Sequence, residues 1–147
     1  MKRVNTWILI ANGGKARVLT SEGRGSKLTE YVKMRLNADD LPEAHVNSER
    51  PGRVHESASP ARHAIEPRMT HKRQIEHDFA RHVARQLEEV LSNFDRLVIV
   101  AAPKTLGDLR ELISAGVEKK LEATVSKDLT NTPDQEIPGL LGDDIKL

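Results

Sequence analysis

Leu97-Val98-Ile99-Val100-Ala101-Ala102 is an unbroken apolar run closed by Pro103. A run of strand length, rich in β-branched residues and without polar alternation, reads as a strand buried on both faces. Such strands sit in the middle of a partly parallel sheet. The residues that follow, Lys104-Thr105-Leu106-Gly107-Asp108-Leu109-Arg110, read as a turn and a helix start, with Thr105 as N-cap and Asp108 three residues on. Sites in open α/β sheets tend to lie beyond the carboxyl ends of such strands. Here that end carries Ala101-Ala102-Pro103 and no catalytic side chain.

The rest of the chain builds outward from this strand. Trp7-Ile8-Leu9-Ile10-Ala11 is a strand, Asn12-Gly13-Gly14 a tight turn that tolerates positive φ, and Lys15 to Thr20 the return strand. After a turn over Ser21 to Lys27, Leu28 to Leu36 alternates. Leu28, Val32, Met34 and Leu36 share one face, which predicts a third, half-exposed antiparallel strand. Periodicity disappears over about 37–70, a stretch rich in Pro, Gly, Ser, Arg and His. Loops of such length are functional or disordered.

Helical order returns at Thr70 or His71. Ile75, Phe79, Val83, Leu87, Val90 or Leu91, and Phe94 recur at helical spacing, so a long amphipathic helix docks on the sheet. Beyond the central strand, Leu106, Leu109, Leu112 or Ile113, and Val117 predict one further helix, and Leu121 to Ser126 a last strand. Thr132 and Pro133 then resemble a helix start, cut short by Pro138 and Gly139. The expected architecture is a single α/β domain over 1–147: a mixed five-stranded sheet in ribonuclease H-like arrangement, with a three-stranded antiparallel meander followed by alternating helices and strands.

Composition removes several function classes. Lys and Arg total 23 against 22 for Asp and Glu, so bulk charge attracts neither nucleic acid nor membrane, and any basic footprint is local. With Cys 0, there is neither a disulfide framework nor thiolate chemistry. The apolar run Ile8 to Ala11 is too short for a signal-peptide core or a membrane span, so the expectation is a soluble cytoplasmic protein with no membrane insertion.

The motifs of chemistry fail one by one. Gly13-Gly14-Lys15 lacks the earlier Gly and the following Ser or Thr of a P-loop. A two-metal nuclease needs carboxylates at the ends of the first and central strands, where Ile10, Ala11, Asn12, Ala101 and Ala102 stand. All six His lie between His45 and His82, yet no pair among His71, His77 and His82 has the i, i+4 spacing of a helical zinc site; Asp78 and His82 do. Ser57, Ser59 and His63 have no nucleophile elbow to hold them. Catalytic residues, metal ligands and cofactors are therefore all expected to be none.

What remains is the basic loop with the start of the helix. Arg50, Gly52, Arg53, Arg62, His63, Arg68, Lys72 and Arg73 are the candidates for RNA or phosphate contact, interspersed with Glu49, Glu56 and Glu66. Arg beside Gly offers guanidinium forks to phosphate where the backbone can approach closely. The loop has no aromatic stacking platform, which argues against sequence-specific reading of single strands. The competing interpretation is a loop pinned to its own domain by Arg–Glu pairs.

Trp7-Ile8-Leu9-Ile10-Ala11-Asn12, Glu49-Arg50-Pro51-Gly52-Arg53, Arg62-His63-Ala64, Glu66-Pro67, Phe79-Ala80, Leu97 to Pro103, Leu106 to Arg110 and Lys127-Asp128-Leu129-Thr130 together resemble the bacterial host attachment proteins. That family is described as required for attachment to host cells. It also looks like a relative of the middle domain of archaeal and eukaryotic peptide-chain release factors, which has the ribonuclease H-like topology. In those factors a Gly-Gly-Gln motif, in the loop before the long helix, enters the ribosomal catalytic centre. The matching loop here holds Arg50-Pro51-Gly52-Arg53 and Arg62-His63 instead. The resemblance thus implies a non-enzymatic protein meeting the ribosome or structured RNA through an Arg/His loop. The alternatives are a peptidyl-tRNA hydrolase or ribosome-rescue factor lacking Gly-Gly-Gln, and an adhesin acting directly at the host cell. Sequence leaves homo-oligomerisation open.

Overall fold

The computed structural model describes residues 4–22, 27–41, 69–142 and 145. Strands β1 (Thr6–Ala11) and β2 (Lys15–Ser21) form the expected hairpin. The third strand is split: β3 (Thr29–Glu30) and β4 (Leu36–Asn37) both pair antiparallel with β2, separated by a 3-10 turn over Val32–Met34. Helix α1 (His71–Glu89) leads to β5 (Arg96–Ala101), then α2 (Pro103–Leu112), α3 (Ala115–Lys120), β6 (Leu121–Ser126) and α4 (Ile137–Leu141).

The sheet runs β3-β2-β1-β5-β6, with β4 also on β2, and β5 pairs parallel with both β1 and β6. It is therefore a mixed α/β fold in which, among the described residues, six strands replace the five expected. The difference lies in the Leu28 to Leu36 stretch. Tyr31 packs against Trp7 at 4.6 Å between ring centroids and Met34 is buried, while Val32 stands 65% exposed. Burying both Tyr31 and Met34 takes a turn rather than straight alternation, so the period of two breaks there.

The central strand is as the sequence predicts: Leu97 through Ala101 are all fully buried. Alternation divides the core. Trp7, Leu9, Val18, Leu97 and Ile99 meet Phe79, Val83 and Leu87 of α1 and Leu109 of α2 on one face. Ile8, Ile10, Leu19, Val98 and Val100 meet Leu129, Ile137, Leu141 and Ile145 on the other. The amphipathic helix ends at Glu89; Phe94 joins the first core from the link after it, tilted against Trp7 at 5.1 Å.

Four local expectations are corrected. Thr105 is not a cap: β5 runs straight into α2 with Ala102 at the N-cap and Pro103 in the first turn, where its fixed φ suits a helix and its missing N–H is no loss. The expected single helix through Val117 is two, because Ser114 caps α3 by accepting from the Val117 amide at 3.2 Å. Thr132 caps nothing; a 3-10 turn over Asp134–Glu136 precedes α4, which ends at Gly142 with φ of 72°. Nor do Gly13 and Gly14 of the Asn12 turn use positive φ, since among the described glycines Gly142 alone adopts it.

Candidate functional site

An open cleft of about 640 Å³ lies at the carboxyl ends of β1, β5 and β6. This is the edge where the sequence shows only Ala101-Ala102-Pro103. The polar groups come from neighbours instead: Asn12 and Lys15 from the hairpin turn, Asp39 after β4, Glu76 from α1, Lys104 and Thr105 from α2, and Asp128 after β6. No periodicity unites them, which is why sequence reasoning missed them. Their one shared signal is position just after a strand, which Asn12, Lys104 and Asp128 all have.

Asn12 holds the site together. Its Oδ1 accepts from the Gly14 and Lys15 amides at 2.9 and 2.8 Å, which shapes the turn. Its Nδ2 donates to Asp128 Oδ2 at 3.2 Å and Thr130 Oγ1 at 3.0 Å, tying the end of β1 to the loop after β6. Asp128 Oδ1 accepts from the Thr130 amide and hydroxyl at 3.0 and 2.6 Å. Burial alone would raise the Asp128 pKa, but these bonds from Thr130 and Asn12 outweigh it and hold the carboxyl below its ordinary 3.8. Asp128 is thus a fixed carboxylate with both oxygens committed.

Glu76 is also engaged. It lies 3.8 Å from Arg73 and against the turn, where a Cβ on Gly13 would come within 2.7 Å of its Cγ. Arg73, one of the predicted phosphate contacts, makes a two-point bond to Asp108 at 2.8 and 2.7 Å. That bond is the main cause of its raised pKa and joins α1 to α2. Thr70 caps α1 through the Arg73 amide at 3.0 Å. Lys72 beside it is exposed. Arg50, Gly52, Arg53, Arg62, His63 and Arg68 lie outside the described residues.

The first turn of α2 contrasts with these engaged groups. Ala102 offers no side-chain cap, and the first bond of the helix runs from the Leu106 amide to the Ala102 carbonyl at 2.8 Å. The Lys104 and Thr105 amides are therefore left open beside the cleft. Lys104 and Lys15 are both exposed.

A second cavity of about 390 Å³ lies beside β2 and β4. Arg17, Glu30 and Arg35 in its lining already have partners. Arg35 forks onto Glu30 at 2.7 and 2.6 Å, and Arg17 donates to the Thr130 and Thr132 carbonyls at 2.6 Å each and to Asp134 at 3.2 Å. Arg17 thereby clamps the chain after β6 across the sheet. Among the described residues no group of His, Asp and Glu is arranged to hold a metal, and no helix is long and apolar enough to cross a membrane.

Fold and cleft define a mixed α/β protein with a polar site at the carboxyl edge of its parallel strands. The sequence pattern of the family described as "Protein required for attachment to host cells" matches residues 7–141, and the chain belongs to that family. The match spans every cleft residue from Asn12 to Asp128. An uncharacterized protein of Rickettsia prowazekii (strain Madrid E) is 30% identical over 126 residues, which cover 82% of this chain and 83% of that protein.

Proposed function

We propose that this family member is a non-enzymatic cytoplasmic protein that binds RNA, in the setting of the ribosome, through its Arg/His segment and the adjoining cleft. One observation carries the reading: both flanks of the basic stretch meet the cleft rim. Asn37, Ala38 and Asp39 line the cleft ahead of that stretch in sequence, and Glu76 of α1 lines it after the stretch. In sequence, Arg50, Arg53, Arg62, His63 and Arg68 fall between two elements that line the edge where Lys15, Lys104 and the open first turn of α2 stand.

The strand order supports the further proposal that the fold is the ribonuclease H-like arrangement of release-factor middle domains. An antiparallel meander leads into parallel β5 and β6, with the basic stretch between meander and long helix as in those factors. Without Gly-Gly-Gln in that stretch, the reading is binding rather than peptidyl-tRNA hydrolysis.

Co-sedimentation with ribosomes at two salt concentrations tests this. The wild-type chain should pellet with ribosomes at low salt and less at high salt, because phosphate contacts release counterions. Arg50→Ala/Arg53→Ala should pellet less at both. Failure of the wild type to pellet even at low salt rejects the proposal.

A further inference from the structure

We propose that Asn12-Gly13 is a latent deamidation site. The tie from the end of β1 to the loop after β6 keeps it intact, and its conversion to aspartate or isoaspartate releases that tie irreversibly.

Of the asparagines in the chain, Asn12 alone is followed by glycine. An asparagine in that context is reactive, because glycine has no side chain to crowd the attack of its nitrogen on the neighbouring amide. The first step is intramolecular. The Gly13 nitrogen bonds to Asn12 Cγ, the Cγ–Nδ2 bond breaks, and Nδ2 leaves as ammonia with the proton given up by the Gly13 nitrogen. Water then opens the cyclic imide, at one carbonyl to aspartate and at the other to isoaspartate. Water has access, since Asn12 and Gly13 are half-buried and line the open cleft.

The fold requires both residues. Asn12 Oδ1 accepts from the Gly14 and Lys15 amides while Nδ2 donates to Asp128 and Thr130, so position 12 needs an amide that is acceptor and donor at once. Position 13 needs bare backbone, because Glu76 Cγ and Oε2 would lie 2.7 and 2.8 Å from a Cβ there. A side chain that would slow the attack therefore has no room.

The bonds that require Asn12 also restrain it. To bring Cγ onto the Gly13 nitrogen, the side chain has to turn out of its bonds to Gly14, Lys15, Asp128 and Thr130. The bond from the Asn12 amide to the Lys15 carbonyl, at 2.9 Å, holds the turn closed meanwhile. Reaction thus waits on opening of the edge. The product cannot rebuild what was lost. A carboxylate has no proton to donate, and at position 12 it faces ionised Asp128, whose Oδ2 lies 3.2 Å from Asn12 Nδ2. In the aspartate form the Gly14 and Lys15 amides keep an acceptor, so the loss falls on the link to the loop after β6.

Mass spectrometry of the peptide containing Asn12, from full-length protein incubated at mildly alkaline pH, tests this. Asn12 should convert slowly in the folded wild type and faster in the same chain unfolded in urea. Asp128→Ala should raise the folded rate about tenfold, the scale of a hydrogen bond to a charged group, and Thr130→Val by a smaller factor. Thermal melts verify that both variants are folded. Asn12→Asp, which supplies the product directly, should raise hydrogen exchange across 128–130 severalfold and leave the Gly14 and Lys15 amides protected as in the wild type. Equal conversion in folded and unfolded wild type, no conversion in either, or folded rates in both variants no higher than wild type overturns the proposal. Wild-type exchange across 128–130 in Asn12→Asp overturns it as well, because the modification then releases nothing.

Discussion

The two faces of the sheet are covered by different means. On one, α1, α2 and α3 lie over Trp7, Leu9, Leu97 and Ile99, and their side chains interlock with residues far apart in sequence. Glu88 of α1 bonds the Ser114 hydroxyl at the start of α3, Arg73 forks onto Asp108, and Lys120 donates to the Leu91 and Phe94 carbonyls at 2.8 and 2.7 Å. On the other face, the five-residue α4 and the chain around it cover Ile8, Ile10, Val98 and Val100. Arg17 fastens that thinner cover from β2. The contrast teaches that an apolar strand dictates burial on both sides but not the structure that provides it. The cleft opens where the covers stop, at the carboxyl edge, bridged by the Asn12 to Asp128 tie.

The largest expected effect comes from the helical face. Phe79, fully buried under the sheet, should cost about 3–5 kcal/mol when changed to Ala, measured by denaturant unfolding. The loss should be global, with every amide of the central strands exchanging faster. Ile137→Ala, on the thin face, removes an equally buried side chain and should cost about 2–5 kcal/mol. Hydrogen exchange should rise there first across 129–141. Equal and simultaneous loss on both faces would erase the distinction between the covers.

Arg17→Ala removes three bonds from a guanidinium whose side chain is 16% exposed, and should cost about 1.5–3 kcal/mol. It should increase proteolysis after β6 while α1 stays protected. If the chain after β6 keeps its protection, Arg17 is not the fastener.

Asp128→Asn is the smallest effect and the one that sharpens the role of the edge. Its folded pKa lies below the ordinary 3.8, so the ionised carboxyl contributes stability above that value, and the contribution disappears as pH falls through the lower folded value. Because Asp128 is exposed, the cost of the substitution near neutral pH should stay under about 1 kcal/mol. The difference between the two proteins should shrink toward zero as pH drops below 3.8. A difference independent of pH would mean that amide geometry, not charge, matters at this tie.

Much of this was legible in order along the chain. Leu97 to Ala101 read as a doubly buried strand because every residue is apolar, and α1 read as docked because Phe79, Val83 and Leu87 repeat at helical spacing. The start of α1 was also legible, at Thr70 or His71, and there the structure shows Thr70 capping the helix through the Arg73 amide. The errors fell where distant contacts overrule local pattern. Thr105 looked like a cap until the strand ran directly into Pro103, and Leu28 to Leu36 looked straight until Tyr31 and Met34 both turned inward. The cleft was barely legible, because Asn12, Glu76, Thr105 and Asp128 carry no common spacing.

Sequence by itself determined the strands β1, β2, β5 and β6, the amphipathic α1, and where a basic stretch without periodicity interrupts them. Those properties are written in neighbours within a few residues. Tertiary structure alone decided that β1, β5 and β6 end side by side, that Arg73 is taken by Asp108, and that the open turn of α2 meets Lys15 across a cleft. The physical reason is that a pairing between distant residues is selected by the packing of the whole sheet, and no local segment carries the energy that chooses it.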